Sequence, residues 1–356
     1  MVAILTTTDA SGEFRGNRRN FKAILKKGKE LGHVAYVAAI QDLESATRTV
    51  KGYVYQEDLK DWVRKTLPQP EVIYNRIPTR KEELKVRKQI EELLARPELH
   101  LYNPYFFNKW ELFEWLKKSK STVQFIPATR RLKSPASLGS LLKQHNYLYL
   151  KPESGKAGKG IMILKYVPGH SHPYHLTLQK GRRRLTRRTA TLRDCWKAIR
   201  RKAGTSPYIV QQGIELAALD ERPFDLRVLV QKNGKGSWSV TGVGARLAGP
   251  KSITTHVPRG GSVEDPEELL SAMFGIEHAS VLLSRVKTTA LIIARQIERG
   301  AEHVLGEMSM DLGVDQNGGI WFFEANSRPM KFDEPHIRKR SLERIFHYAS
   351  HLVQGK

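Results

Sequence analysis

The sequence predicts an α+β chain that begins with an α/β layer, and three observations lead there. Short apolar runs at 2–8 (VAILTTT) and 33–40 (HVAYVAAI) flank a basic helical stretch near 20–31, the strand–helix–strand order of an open α/β layer. A glycine-rich loop at 155–160 then joins two strand-like runs, YLYLK at 147–151 and IMILKY at 161–166. Finally, a hairpin pattern at 307–326 carries Asp311, Glu324 and Asn326 among apolar residues.

The other elements fall into place around these. Residues 72–75 (VIYN) read as a third strand of the first layer. A helix over about 80–95 must end before Pro97, because the residue preceding a proline disfavours helix. Asn103-Pro104 marks the first boundary, giving an N-terminal α/β unit at 1–104. The helix at 107–118 (FNKWELFEWLKK) sets Trp110, Phe113 and Trp115-Leu116 near helical spacing, so these rings read as core and not as a base-stacking surface. Residues 105–210 form a second, β-rich unit with basic turns and a helix at 191–202. Residues 211–356 form a third unit. Its strands run at 224–231 and 238–246, after a strand at 208–212, followed by a long helix near 279–299, the 307–326 hairpin and a C-terminal helix.

Length agrees: 356 residues at roughly 150 per domain predict two or three domains. Hydrophobic residues at 40% and charged residues at 27% are globular values and exclude wholesale disorder. The lone cysteine, Cys195, excludes an internal disulfide framework and a Cys-ligated zinc site. Met1–Thr7 lacks the charged and apolar regions of a signal peptide, and no apolar run reaches the roughly 20 residues of a membrane helix. The expectation is a soluble protein of a reducing compartment.

Sixty Lys and Arg against 36 Asp and Glu give a net charge of +24, which suggests a polyanionic partner. The basic residues run along the whole chain, with one dense stretch at 180–188 (KGRRRLTRR) expected on a hairpin. That stretch reads either as a docking surface for an anionic polymer or as a solvated hairpin. No helix-turn-helix, RNP or zinc-finger signature accompanies the charge, so a nucleic-acid binder stands only as a third possibility, marked by salt-dependent polymer binding that ignores ATP.

Three segments carry chemistry. The loop Gly155-Lys156-Ala157-Gly158-Lys159-Gly160 is not a Walker A motif, because Ile161 and Met162 follow its last glycine. It is not a dinucleotide fingerprint either, since it joins two strands. A strand–loop–strand flap can fold over a triphosphate with its backbone N–H groups as donors, and Lys151 can neutralise phosphate oxygens. A plain hairpin remains the alternative.

In the second segment, Asn317-Gly318 is predicted to form a two-residue type I′ turn. That register sets Asp311 opposite Glu324, with Asn326 on the same face and Trp321 and Phe323 on the other as core. Two carboxylates and an amide oxygen make a ligand set for Mg²⁺, and a solvent-facing polar stripe is the alternative.

The third segment, RPFDLRVLV at 222–230, puts Asp225 and Arg227 on one strand face, with Arg246, His256 and Arg259 downstream. Such arginines suit bidentate binding of carboxylate or phosphate, while an Asp–Arg cross-strand pair is the structural option. Cys195, beside Trp196 in a helix, reads as a buried bystander.

Taken in order, Lys151-Pro152, the 155–160 loop, Gln211-Gln212-Gly213-Ile214, Asp225-Leu226-Arg227, Arg259-Gly260-Gly261, Asp311 and Glu324-Ala325-Asn326-Ser327 resemble the ATP-grasp superfamily. Within it the chain resembles the YheC/YheD-type endospore coat-associated family, through Tyr74–Arg80, Asn108–Glu111, Phe224–Arg227 and Ser309–Leu312. The resemblance implies an ATP-grasp fold, with nucleotide held between a small lobe at 105–210, carrying the glycine flap, and a large lobe at 211–356, carrying the metal site. It implies that Lys151, Gly155, Lys156, Gly158, Lys159 and Gly160 meet the phosphates, and that Gln211, Gln212, Gly213 and Ile214 line the adenine hinge. Asp311, Glu324 and Asn326 are implied to hold Mg²⁺.

The implied activity is ATP-dependent joining of a carboxylate to an amine through an acyl-phosphate, with Arg227, Arg246 and Arg259 gripping the phosphoryl group or the acidic substrate. The implied setting is the mother-cell cytoplasm at the endospore coat, among coat proteins. A nucleotide-binding coat or assembly protein without turnover is the alternative. Two departures bear on it: Gln212 stands where an acidic residue often sits, and Met330 follows Asn-Ser-Arg-Pro where well-characterised ligases have glycine.

Overall fold

Three six-stranded sheets, each drawn from its own stretch of chain, build the molecule. A computed structural model describes residues 1–43, 48–154, 159–180, 183–250, 252, 255 and 260–355.

The first sheet is formed by β1 (Val2–Thr6), β2 (Ala35–Ala39), β3 (Thr49–Gln56), β4 (Asp61–Pro68), β5 (Val72–Asn75) and β6 (His100–Tyr102). Its order is β4-β3-β2-β1-β5-β6, with the last four parallel. Helices α1 (Arg18–Glu30), α2 (Arg80–Lys85) and α3 (Arg87–Leu94) complete this unit. Both faces of the parallel strands are buried: Ala3, Leu5 and Tyr36 point one way, Val2, Ile4 and Val37 the other. Continuous apolar runs are what two buried faces require.

Two features depart from expectation. The β3–β4 hairpin was not predicted, because β4 (DWVRKTLP) is a charged edge strand exposed along much of its length. The helix expected over 80–95 is two, separated at Val86, whose φ of −112° and ψ of 22° leave the helical region.

After α4 (Lys109–Lys117) comes the second sheet: β7 (Thr129–Arg131), β8 (Tyr147–Pro152), β9 (Met162–Tyr166), β10 (Tyr174–Lys180), β11 (Arg183–Thr189) and β12 (Tyr208–Gln212). They lie in the order β11-β10-β9-β8-β12-β7. Helices α5 (Pro135–Gln144) and α6 (Leu192–Ala203) pack Leu138, Leu141 and Ile199 onto Leu148, Leu150 and Leu164. Cys195 is fully buried in this core, and burial pushes its thiol up to about 11, as fits a bystander.

The third sheet holds β13 (Ala218–Leu219), β14 (Arg222–Lys232), β15 (Trp238–Leu247), β16 (Ser262–Glu264), β17 (Glu307–Val314) and β18 (Ile320–Asn326). The order is β16-β15-β14-β17-β18, with β13 paired to β14. Helices α7 (Pro266–Phe274) and α8 (Ile276–Ala301) cover one face. On α8, Leu282, Val286, Ile293 and Ile297 recur at helical spacing and meet Leu226, Val228, Met310 and Leu312. Helix α4 joins this core through Leu112, Phe113 and Leu116, with the Phe113 and Phe322 rings 5.8 Å apart at 69°. The last helix, α9 (Pro335–Gln354), returns to the first unit and buries Ile345, Phe346 and Tyr348 against Val2, Ile4 and Phe21.

Candidate active site

The face of the third sheet opposite α8 carries polar residues where a core would carry apolar ones. Alternation along β14 sends Phe224, Leu226 and Val228 into the α8 core and Asp225 and Arg227 to this face. Antiparallel pairing sets Asp225 beside Arg246 of β15 and Arg227 beside Asp311 of β17. Arg246 bridges two carboxylates. Its Nε and Nη2 donate to Asp225 at 2.8 and 2.9 Å, and Nη2 lies 2.7 Å from Asp311 Oδ2. Burial works against its charge, but Asp225 and Asp311 outweigh burial and hold its pKa above the ordinary value. The Thr255 hydroxyl also donates to Asp225.

The hairpin reaches the predicted Asp311–Glu324 pair by a different route, and pairs Ser309 with Asn326. Its turn spans Asp315 to Gly319, and only Gly318 takes positive φ, +76°, so it is not type I′. The Asp315 carboxylate shapes the turn, accepting from the Asn317 N–H at 2.9 Å, the Gly319 N–H at 2.8 Å and Trp321 Nε1 at 2.7 Å. Near the turn the pairs are one residue out, Leu312 with Phe322 and Gly313 with Trp321. A β-bulge at Phe323 then restores the register. The expectation that Trp321 and Phe323 pack as core is thereby corrected. Phe322 is the fully buried ring, and Phe323 turns to the polar face.

Across from this face stands the second sheet. Lys151, at the end of β8, donates to Gln211 Oε1 at 2.6 Å, and Gln211 Nε2 donates to Thr129 at 2.9 Å. The Lys151 ammonium lies 5.3 Å from the Phe323 ring centroid, so the two sheets meet here. Burial, then the charge of Lys109, pulls Lys151 down to about 8 against the opposite pull of Glu324, Asp311 and Asp225.

Lys109 went unnoticed as a site residue, although the sequence held a signal. It occupies the first turn of α4, where a cation opposes the helix dipole. Glu324 resolves this with an ion pair of 2.5 Å.

The chain crosses between the two sheets just after β12. The Gln212 N–H donates to Ala128 O at 2.8 Å and the Gly213 N–H to Tyr147 O at 2.7 Å, both on the second unit. The Ala217 N–H then donates to Val314 O at 2.8 Å on the third sheet. A Cβ at Gly213 would lie 2.4 Å from the Tyr147 ring, which is why glycine stands there. Ile214 is buried beside the crossing.

Of the flap, Lys159 is exposed and Gly160 takes φ +78°, its carbonyl accepting from Tyr208 at 3.0 Å. Gly155, Lys156 and Gly158 lie outside the described residues, as do Arg259 and His256.

Asp311, Glu324 and Asn326 thus fall on neighbouring positions of one hairpin, and their oxygens suit a hard cation. Among the described residues no three His, Cys, Asp or Glu side chains gather as a metal-ligand group.

A family model described as YheC/D like ATP-grasp matches residues 98–352. The chain belongs to that family. Endospore coat-associated protein YheD of Bacillus subtilis (strain 168) is 29% identical to this YheC/D-like ATP-grasp chain, over 99% of it and 79% of the relative. Among solved structures, the ATP-grasp ligase PsnB complexed with minimal precursor superposes with a TM-score of 0.53 at 13% identity, covering 99% of both chains. D-alanyl-alanine synthetase A from Vibrio cholerae gives 0.52 at 12% identity, over 99% of this chain and 97% of that structure's (for the latter pair the sequence likeness is too low to show more than the fold). The fold is ATP-grasp. No helix among the described residues is long and apolar enough to cross a membrane.

Proposed function

We propose that this YheC/D-like chain is an ATP- and magnesium-dependent carboxylate–amine ligase, acting through an acyl-phosphate at the endospore coat. The observation that carries the reading is the facing of Lys151, on the second sheet, toward the Asp311–Glu324 pair of the third, where Lys109 of α4 adds a second cation paired to Glu324. A cation on one wall and oxygen donors on the other are what a triphosphate with its metal requires.

Under this reading Lys151 binds phosphate, Gln211 holds the Lys151 ammonium in place, and the crossing at 211–214 lines the adenine. Asp311, Glu324 and Asn326 hold Mg²⁺, which when bound spreads the charge of the phosphates. Arg227 grips the reacting carboxylate. Its Nε and the Ser309 hydroxyl are buried on this face without a hydrogen-bond partner among the described residues, so two donors stand ready for oxygen atoms. The amine then displaces phosphate from the acyl group. Arg246 positions Asp225 and Asp311, and Arg259 is assigned to the phosphoryl group or the acidic substrate. The units 1–104, 105–210 and 211–356 serve as the N-terminal, small and large lobes.

The test is hydroxylamine trapping. With ATP, Mg²⁺, mixed carboxylates and hydroxylamine, hydroxamate and phosphate should appear in equal amounts. A second reading, a nucleotide-binding assembly protein without turnover, draws on Met330, which is 71% exposed where characterised ligases carry glycine. Tight MgADP binding without any phosphate release in that assay would favour it.

A further inference from the structure

The net charge is not spread evenly. Residues 129–212, the stretch that builds the second sheet, hold 19 Lys and Arg against two acids, Glu153 and Asp194, and so carry +17 of the chain's +24. Both acids are already engaged. Glu153 is buried and takes Arg131 at 3.0 Å, while Asp194 accepts from the hydroxyl of Thr191, the N-cap of α6, at 2.7 Å and lies 3.5 Å from Lys197. Nothing acidic within this unit balances the rest.

The charge is displayed on two adjoining elements. Among the described residues β11 is an edge strand, hydrogen-bonded as a strand to β10 only, and residues 184–188 are exposed on both its faces, with Arg184 donating to Ser252 O. Beside it, α6 presents Arg193, Lys197 and Arg200 to solvent. Arginines on an edge strand also discourage unwanted strand pairing, but that needs one or two charges and no basic helix.

We infer that the β11 edge and the α6 face dock an acidic polypeptide. Resting on the ligase reading above, this polypeptide is the carrier of the carboxylate substrate. Two observations favour a peptide over a nucleic acid. An open strand edge offers backbone donors and acceptors to an added strand, and on one face of β11 Arg184 and Arg188 stand four residues apart, so that every second carboxylate along the matching face of that strand meets an arginine. And no Phe, Tyr or Trp ring among the described residues is exposed, so the large platforms on which bases stack are not on display.

The probe is a fluorescent oligo-L-glutamate, followed by anisotropy across a salt series without ATP. Binding should weaken steeply with salt, and the variant R187Q/R188Q/R193Q/K197Q should lose about tenfold or more in affinity with a flatter salt slope. MgADP affinity should not change. The conservative R187K/R188K variant, expected to keep most of the binding, serves as the folded control. Equal affinity and slope in the four-site variant would overturn the proposal, as would tighter or equal binding of single-stranded DNA of the same charge. Because the readout needs no turnover, a chain that docks the glutamate peptide but fails the hydroxylamine assay keeps the docking surface and loses the ligase reading, and with it the carrier role.

Discussion

Lys109 and Glu324 form an ion pair of 2.5 Å that links the first turn of α4 to the end of β18. The pair holds a metal-ligand candidate from one side and places a cation next to Lys151, so packing of α4 and charge in the cleft are set together. Removing Glu324 by Glu324→Ala should abolish the Mg²⁺-dependent part of thermal stabilisation by ADP. Lys109→Met should leave that part in place and lower stability by only about 1 kcal/mol, since the pair is partly exposed. Differential scanning fluorimetry with and without Mg²⁺ reads both, and unchanged stabilisation in Glu324→Ala would sink the metal assignment.

A pH dependence follows from Lys151, whose pKa near 8 lies below the ordinary 10.5. The free protein therefore holds Lys151 charged below about pH 8 and neutral above it, whereas a bound phosphate favours the charged form. MgADP affinity should stay flat approaching pH 8 and fall by up to about tenfold per pH unit beyond it, with proton uptake on binding. Calorimetry in buffers of differing ionisation enthalpy measures that uptake, and Lys151→Arg should flatten the profile. In the free chain the sign for stability is opposite: with the folded pKa below the unfolded one, this residue costs most below about pH 8 and the cost fades toward 10.5.

The bulge at Phe323 separates two neighbouring rings with different duties. Phe322→Ala should destabilise by about 3–5 kcal/mol, the cost of a cavity in the α8 core. Phe323→Ala should cost much less in stability and weaken nucleotide binding instead, because that ring contacts Lys151. Chemical denaturation of both variants decides; equal losses would mean the two rings share the core.

At the crossing between sheets, Gly213→Ala puts a methyl group 2.4 Å from the Tyr147 ring and should cost about 1–3 kcal/mol. In a Tyr147→Leu background the added loss should shrink to about 0.5 kcal/mol, as coupled neighbours do. Additive losses in the double-mutant cycle would show that the ring is not what demands glycine.

Much of this was legible in the sequence wherever burial imposes a period. The parallel strands β1, β2 and β5 announced themselves as apolar runs because both their faces are covered. The hairpin β3–β4 did not, since a solvated edge leaves charge free to hide the alternation. The Asp311–Glu324 pair was predicted through a wrong turn type, rescued by a bulge that no local signal in WFFEAN reveals. Lys109 was legible only as an oddity, a cation at a helix start, and Arg246 gave no hint that it spans two carboxylates on two different strands. Counting basic residues by runs also concealed where they concentrate; only the bounds of the second sheet show that one unit holds most of the excess.

The return of α9 to the first sheet has a consequence for the order of synthesis. Val2, Ile4 and Phe21 leave the ribosome early, yet the side chains that cover them, Ile345 and Phe346, emerge more than 300 residues later. The first sheet is made first and finished last. Until α9 is released, that apolar face stays open to neighbours on the same message and to chaperones, and contacts of such sequence separation close slowly. The β1 region of a nascent chain should accordingly remain open to protease until α9 (Pro335–Gln354) clears the exit tunnel, after the third sheet's last strand, which ends at Asn326.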